Sequence, residues 1–256
     1  MGIRQEHWMV GERPSLDLRV PSGTVEVRIG DAGHVLMSLD SPSADEFDVS
    51  ALGDTIVVHY PSRWTMRGRS CRLVMTVPAG SDVAVECASA EIRLAGPLGA
   101  VRARTASGNI DVGDTVRLEV STASGDVTTG DVLSDARVTT ISGDCAMRTI
   151  GGQLEATLTS GDLRVDRCAG DLHVATTSGS ARVGHCGGSE VSMRSVSGDV
   201  RLGLPSGVRV SADISTVSGR ATMPEPARSG DDGGERRHVR LRLKTISGDI
   251  RLERSA

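Results

Sequence analysis

From about residue 107 onward, apolar and polar residues alternate in short runs, and each run breaks at a Ser-Gly pair. These pairs begin at Ser107, Ser124, Ser142, Ser160, Ser178, Ser197, Ser218 and Ser247, so the gaps are 17, 18, 18, 18, 19, 21 and 29 residues. Three and five positions after the serine stand Ile110/Val112, Cys145/Met147, Leu163/Val165, Ala181/Val183, Val200/Leu202 and Ile250/Leu252. Six and four positions before it stand Leu118/Val120, Ala136/Val138, Leu154/Ala156, Leu172/Val174, Val191/Met193 and Leu241/Leu243. Intervening positions are mostly polar, among them Arg137, Glu155, Arg164, Arg182 and Arg201. Period-two alternation means strands with one buried face. The same alternation puts Ile141, Val196, Val217 and Ile246, just before their serines, on the outside.

Each unit therefore reads as strand, Ser-Gly-Asp corner, strand, second corner. Two short strands cannot bury a core alone. Stacked copies can, because each strand then pairs in parallel with its equivalent one coil away. Coils repeating at about 4.8 Å would make a rod of roughly 40 Å from about eight to nine of them. The glycine supplies a corner conformation with positive φ, and the aspartate can accept backbone N–H groups beyond it. "CASAEIRL", with Ser89, and "VPSGTVEV", at 20–27, read as degenerate copies. No extended helical periodicity is present.

Residues 1–80 are strand-rich but less regular, broken by Pro14, Pro21, Pro42, Pro61 and Pro78. They are expected to start and cap the stack, as terminal repeats do. Residues 81–256 carry the regular repeat. Between Ser218 and Ser247 lie about 11 surplus residues, assigned to an exposed insertion at 224–238, "PEPARSGDDGGERRH". The last coil, "LRLKTISGDIRLERSA", is expected to leave an open edge that pairs with another chain.

Composition narrows the function. The net charge is 29 − 33 = −4, so nothing draws the chain generally to nucleic acid or anionic lipid. Only four aromatics occur, Trp8, Phe47, Tyr60 and Trp64. Without aromatics beside the arginines, single-stranded nucleic acid binding is not expected. No stretch approaches the roughly 18 apolar residues of a membrane span, and "MGIRQEHWMV" has no secretory h-region. The expected location is cytoplasmic, or the cell surface if a signal segment has been removed.

Candidate chemistry is thin. Asp126, Asp144 and Asp162 form a column that could suggest calcium, but the second corners ("GDTV", "RTIGG", "RCAGD", "GHCGG") lack the calcium-roll signature. Of Cys71, Cys87, Cys145, Cys168 and Cys186, the last two fall in one corner column with Val132 and Ile150, as buried free thiols. His185 beside Cys186 has no second ligand pair for zinc. Arg164, Arg182 and Arg201 share one outward column with Arg93 and Arg251, read as a solvated face or a ligand-facing stripe. Asp111, Glu119, Glu155 and Asp213 lie in different columns and form no carboxylate pair of the kind glycoside hydrolysis needs. No catalytic, cofactor-binding or metal-binding residue is assigned, and no cofactor.

The serial "SGD[VIL]" coils after "VPSG" and "VPAG" segments resemble the bacterial family labelled "putative adhesin", of domain of unknown function 4097 type, with its β-strand repeats. The resemblance implies a parallel β-solenoid and carries no catalytic residues. The expected fold is all-β: a single elongated parallel β-solenoid (β-helix) of about 18-residue, two-strand coils with an irregular N-terminal β cap. The expected function is non-enzymatic: a rigid scaffold binding a protein partner or a homo-oligomer mate through the C-terminal coil. The alternatives are a polysaccharide-acting β-helix enzyme and a cytoplasmic regulatory module.

Overall fold

The serines found by counting are neighbours in space. Ser142, Ser160, Ser178 and Ser197 pair one with the next across parallel strands. The structure, a computed structural model, describes residues 2–60, 70–224 and 237–255. It is all-β and β-solenoid-like, and its one helical element among the described residues is a 3-10 turn at Ala44–Glu46. By contacts the chain divides into two units, Met1–Val132 and Leu133–Ala256.

In the first unit the long strand Ser15–Ile29 runs parallel to Asp82–Leu94, with Leu16 opposite Val83 and Val25 opposite Ile92. Regular pairing therefore reaches back to Ser15, and Ser22 lies opposite Ser89. Leu98–Ser107 and Ile110–Val112 form the next coil, Thr115–Ser124 and Val127–Val132 the one after. On the far side of Ser15–Ile29, Thr55–His59 and Cys71–Val77 also pair in parallel. Antiparallel strands then cover them: Asp48–Leu52 on Thr55–His59, His34–Ser41 on Cys71–Val77, and Gly2–Met9 on His34–Ser41. Leu16, Leu18, Val25, Leu39, Ile56 and Leu73 fill the core between these layers.

In the second unit, the coils Ala136–Ile150, Leu154–Cys168, Leu172–Cys186 and Glu190–Pro205 stack in sequence order. The alternation holds. Val138, Ala156, Leu163, Val165, Val174 and Met193 are buried, while Arg137, Arg164 and Arg182 are exposed. Glu155, expected outside, is half-covered, because the Arg137 guanidinium of the adjacent coil bonds to it. Ile141, Val196, Val217 and Ile246 do point outward, as an apolar ladder.

The corner explains the recurrence. At Gly161 φ is +117°, and a Cβ built there would lie 2.2 Å from the Gly143 carbonyl oxygen. Only glycine fits both the backbone conformation and the close approach of the preceding coil. The aspartate of each corner staples the next coil: the Asp162 N–H donates to Asp144 Oδ1 (2.8 Å), and the Ser180 N–H donates to Asp162 Oδ1 (2.8 Å). The second corner uses the same device without the same motif. Asp171 Oδ1 accepts the N–H groups of Ser189 and Glu190, each at 2.9 Å.

The end of the second unit departs from sequence order. His238–Ser247 pairs with Glu190–Ser197 on one side and with Arg209–Ser218 on the other. Ile250–Ser255 likewise lies between Val200–Pro205 and Ala221–Thr222. The C-terminal coil is thus internal, and coil 209–222 is outermost. This corrects the expectation of an open edge on the C-terminal coil: Ile250 and Leu252 are buried. Burial accounts for the exchange. The C-terminal coil brings Val239, Leu241, Leu243, Ile250 and Leu252 inward, while coil 209–222 offers Val210, Ala212, Ile214 and Ala221. Enclosing the more apolar coil on both faces removes more apolar area from water. Of the insertion expected at 224–238, residues 225–236 lie outside the described residues, and His238 is already strand, opposite Arg209.

Candidate functional site

Strand pairing turns the spaced arginines into a ladder. Arg164 lies opposite Arg182, Arg182 opposite Arg201, and Arg201 opposite Arg251. Each follows a buried inward residue (Leu163, Ala181, Val200, Ile250) and so must point out. Like charges directly opposite on neighbouring strands repel. Compensation here is uneven. Arg164 Nε lies 3.4 Å from Asp166, and an Arg201 Nη lies 3.8 Å from Asp199. Arg182 stands between Ser180 and Gly184 along its strand and, among the described residues, has no ion-pair partner. Ser180 occupies the place that Asp144, Asp162 and Asp199 hold in neighbouring coils.

Beside the ladder is a concavity of about 420 Å³. Arg164, Arg182 and Arg201 line it together with the corner residues Asp144, Asp162, Ser180 and Asp199, which stand two positions earlier in each coil. Asp162 and Asp199 each use Oδ1 to accept a backbone N–H from the next coil. The groove thus offers guanidinium donors beside carboxylate acceptors. Arg93, in the same column of the repeat, belongs to the first unit and bonds Glu91 at 2.6 Å.

The other candidates do not assemble into a reactive centre. Glu119 is held below the usual carboxylate range, chiefly by its hydrogen bond from Arg104 and also by Arg102. That is the wrong direction for a general acid, which needs a raised pKa. Asp213 lies 3.5 Å from Lys244, and Glu155 is bonded by Arg137. His185 and Cys186 fall on opposite faces of one strand: the imidazole Nδ1 meets Ser255 Oγ at 2.7 Å, whereas the thiol is fully buried. Among the described residues no three His, Cys, Asp or Glu side chains cluster as metal ligands.

All five cysteines are free and buried. Burial pushes the Cys145 thiol up to about 12 and the Cys71 thiol up to about 11. Cys168 lies opposite Cys186, with Ile150 on its other side. Its thiol is raised, first by the hydrogen bond with Cys186 and then by burial. Such thiols are packing groups rather than nucleophiles. No helix among the described residues is long and apolar enough to cross a membrane.

The sequence model of the Toastrack DUF4097 family matches residues 14–253. The chain belongs to this family. No curated protein matches it. Solved structures similar to this Toastrack chain include a "putative adhesin" from Bacteroides fragilis NCTC 9343, at 9% identity over 97% of this chain and 96% of that one, TM-score 0.42. A "putative lipid binding protein" from Parabacteroides distasonis ATCC 8503 shows 10% identity over 97% and 96%, TM-score 0.42. A "putative cell adhesion protein" from Clostridium sporogenes ATCC 15579 shows 8% identity over 99% and 100%, TM-score 0.29.

Sequence reasoning reached the arginine column but not its ladder or its acid-poor centre. The signal was present: position 180 is the serine of "SGS" where most neighbouring repeats read "SGD". It also passed over a buried hydroxyl column. Thr140, Thr176, Ser195 and Thr245 point inward, two positions before each corner serine. Their polarity gave no sign of burial; the inward alternation, carried one step nearer the serine, was the signal.

Proposed function

We propose that this chain is a non-enzymatic interaction module, a rigid β-solenoid-like scaffold that binds a second copy of itself through the outer edge of coil 209–222. The observation that carries the reading is the free edge. Among the described residues nothing pairs with the outer side of Arg209–Ser218, and Val210, Val217 and Met223 are exposed there. An unpaired strand edge beside apolar side chains is a template for another strand. Val217 continues the outward apolar ladder of Val196 and Ile246 onto the same edge.

Edge chemistry favours a second copy. The Arg209 N–H points inward to the Arg237 carbonyl. By alternation Val210, Ala212 and Ile214 therefore present their N–H and C=O groups outward. Antiparallel pairing about a two-fold axis at Ala212 sets Val210 opposite the mate's Ile214, hydrogen-bonding groups matched. Asp213 then falls opposite Ser211 and diagonal to the mate's Arg209, with no like charges opposed. The finer architecture, parallel β-solenoid coils of about 18 residues with residues 1–80 as a starting cap and 81–256 as regular coils, is supported by the recurrent Ser-Gly spacing in the sequence.

Light scattering across micromolar concentrations tests the reading. Wild type is expected to form a dimer. Ala212→Pro, which removes an outward N–H, and Ile214→Lys, which charges the edge, are expected to give monomers with unchanged circular dichroism. A wild type monomeric at every concentration, or dimers that survive both substitutions, overturns it.

A further inference from the structure

We propose that the arginine ladder and the groove beside it form a binding site for a linear acidic polysaccharide, one bearing a carboxylate on each sugar ring. The site lies within the second unit and does not depend on coil 209–222 pairing with anything.

Three observations converge. First, four guanidinium groups from Arg164, Arg182, Arg201 and Arg251 stand at successive coil spacings. Three strand spacings make a stripe about 14 Å long. A pyranose ring spans about one such spacing, so a uronate chain laid along the stripe keeps in step with the coils, and its carboxylates recur within reach of the long guanidinium side chains. Second, the stripe is uncompensated at its centre, where Arg182 has Ser180 and Gly184 as its same-face neighbours and no ion-pair partner among the described residues. Four arginines in register repel one another, and a polyanion removes that repulsion while gaining charge-assisted, bidentate hydrogen bonds. Third, the 420 Å³ concavity is also lined by the corner acids Asp144, Asp162 and Asp199, and the Oδ1 atoms of the last two already serve the backbone. Their Oδ2 atoms can accept sugar hydroxyl donors. A ligand that alternates carboxylates with hydroxyls satisfies both columns. A phosphate polymer offers acceptors only and would face the aspartates unpaired.

The ends of the stripe fit this reading. Beyond Arg164 the column continues with Ala146, and beyond Arg251 with Thr222. The charged stretch therefore matches about four sugar units.

Calorimetry with a galacturonic acid tetramer, at low and at physiological salt, tests the proposal. Wild type is expected to bind, more weakly at higher salt, and the neutral galactose tetramer not to bind. Arg182→Gln and Ser180→Asp are each expected to raise Kd about tenfold or more, a loss of about 1.4 kcal/mol. Ser180→Asp alters no arginine: it restores the acid that neighbouring coils carry. Arg137→Gln, outside the ladder, is expected to change nothing. Melting temperatures at or above that of wild type for both ladder variants exclude misfolding as the cause. Equal binding of the neutral tetramer, undiminished binding by Arg182→Gln, or no binding by wild type at low salt overturns the proposal. Tighter binding of an oligonucleotide or polyphosphate of equal charge overturns the saccharide assignment. Ala212→Pro is expected to bind the tetramer normally, so failure here and failure of self-association are read separately.

Discussion

The corner glycines separate two energetic terms that usually arrive together. Gly207 has φ of +78° and nothing within 4 Å of the place a Cβ would take, so alanine there meets only the backbone penalty. Gly170 has no such φ, but a Cβ would sit 2.3 Å from the Gly152 carbonyl oxygen, so alanine there meets only the neighbouring coil. Gly161 has both, at +117° and 2.2 Å from the Gly143 oxygen. A left-handed conformation costs alanine about 1–2 kcal/mol, partly offset by a stiffer unfolded chain. Overpacking against backbone that cannot rotate away costs about 1–3 kcal/mol. The expected losses are about 1 kcal/mol for Gly207→Ala, about 2 for Gly170→Ala and about 3–4 for Gly161→Ala. At about 2–4 °C per kcal/mol for a domain of this size, Gly161→Ala should melt roughly 10 °C lower. Calorimetric melts of the three variants make the comparison. Gly161→Ala costing no more than Gly207→Ala would refute the argument that coil-to-coil approach, and not turn geometry alone, demands glycine.

Asp162→Ala, which removes the acceptor for the Ser180 N–H, is expected to cost about 1–2 kcal/mol in urea titrations, whereas Asp162→Asn keeps an acceptor and loses less. The buried thiols predict a pH dependence. Cys145 is raised from 9.0 to about 12 by burial, so its contribution is complete below pH 9 and is lost as pH rises toward 12, by about 1.4 kcal/mol per pH unit. Melting temperature should accordingly fall more shallowly above pH 9 in Cys145→Ala than in wild type, and parallel slopes would contradict this.

Period-two alternation and recurrent Ser-Gly-Asp by themselves determined the strands, the corners and the parallel pairing of equivalent positions. These are local facts: a side chain's face follows from its place in a strand, and a corner's glycine from its φ. Val138, Leu163 and Met193 inside, with Arg164 and Arg182 outside, needed nothing more. The hydroxyl column escaped notice for a local reason too, since Thr140 and Thr245 carry a polar group on a position that packing buries. What only the tertiary structure decided is which coil lies next to which. Sequence order runs 190–205, 209–222, 238–255, but the stack places 238–255 between the other two. No local pattern records that choice, because all three coils carry a Ser-Gly corner and the same alternation. It turns on the total apolar area enclosed, in which Leu241, Leu243, Ile250 and Leu252 outweigh Ala212, Ile214 and Ala221. That exchange sets Arg251 beside Arg201 and completes the ladder, and it leaves Val210 and Ile214 on the edge.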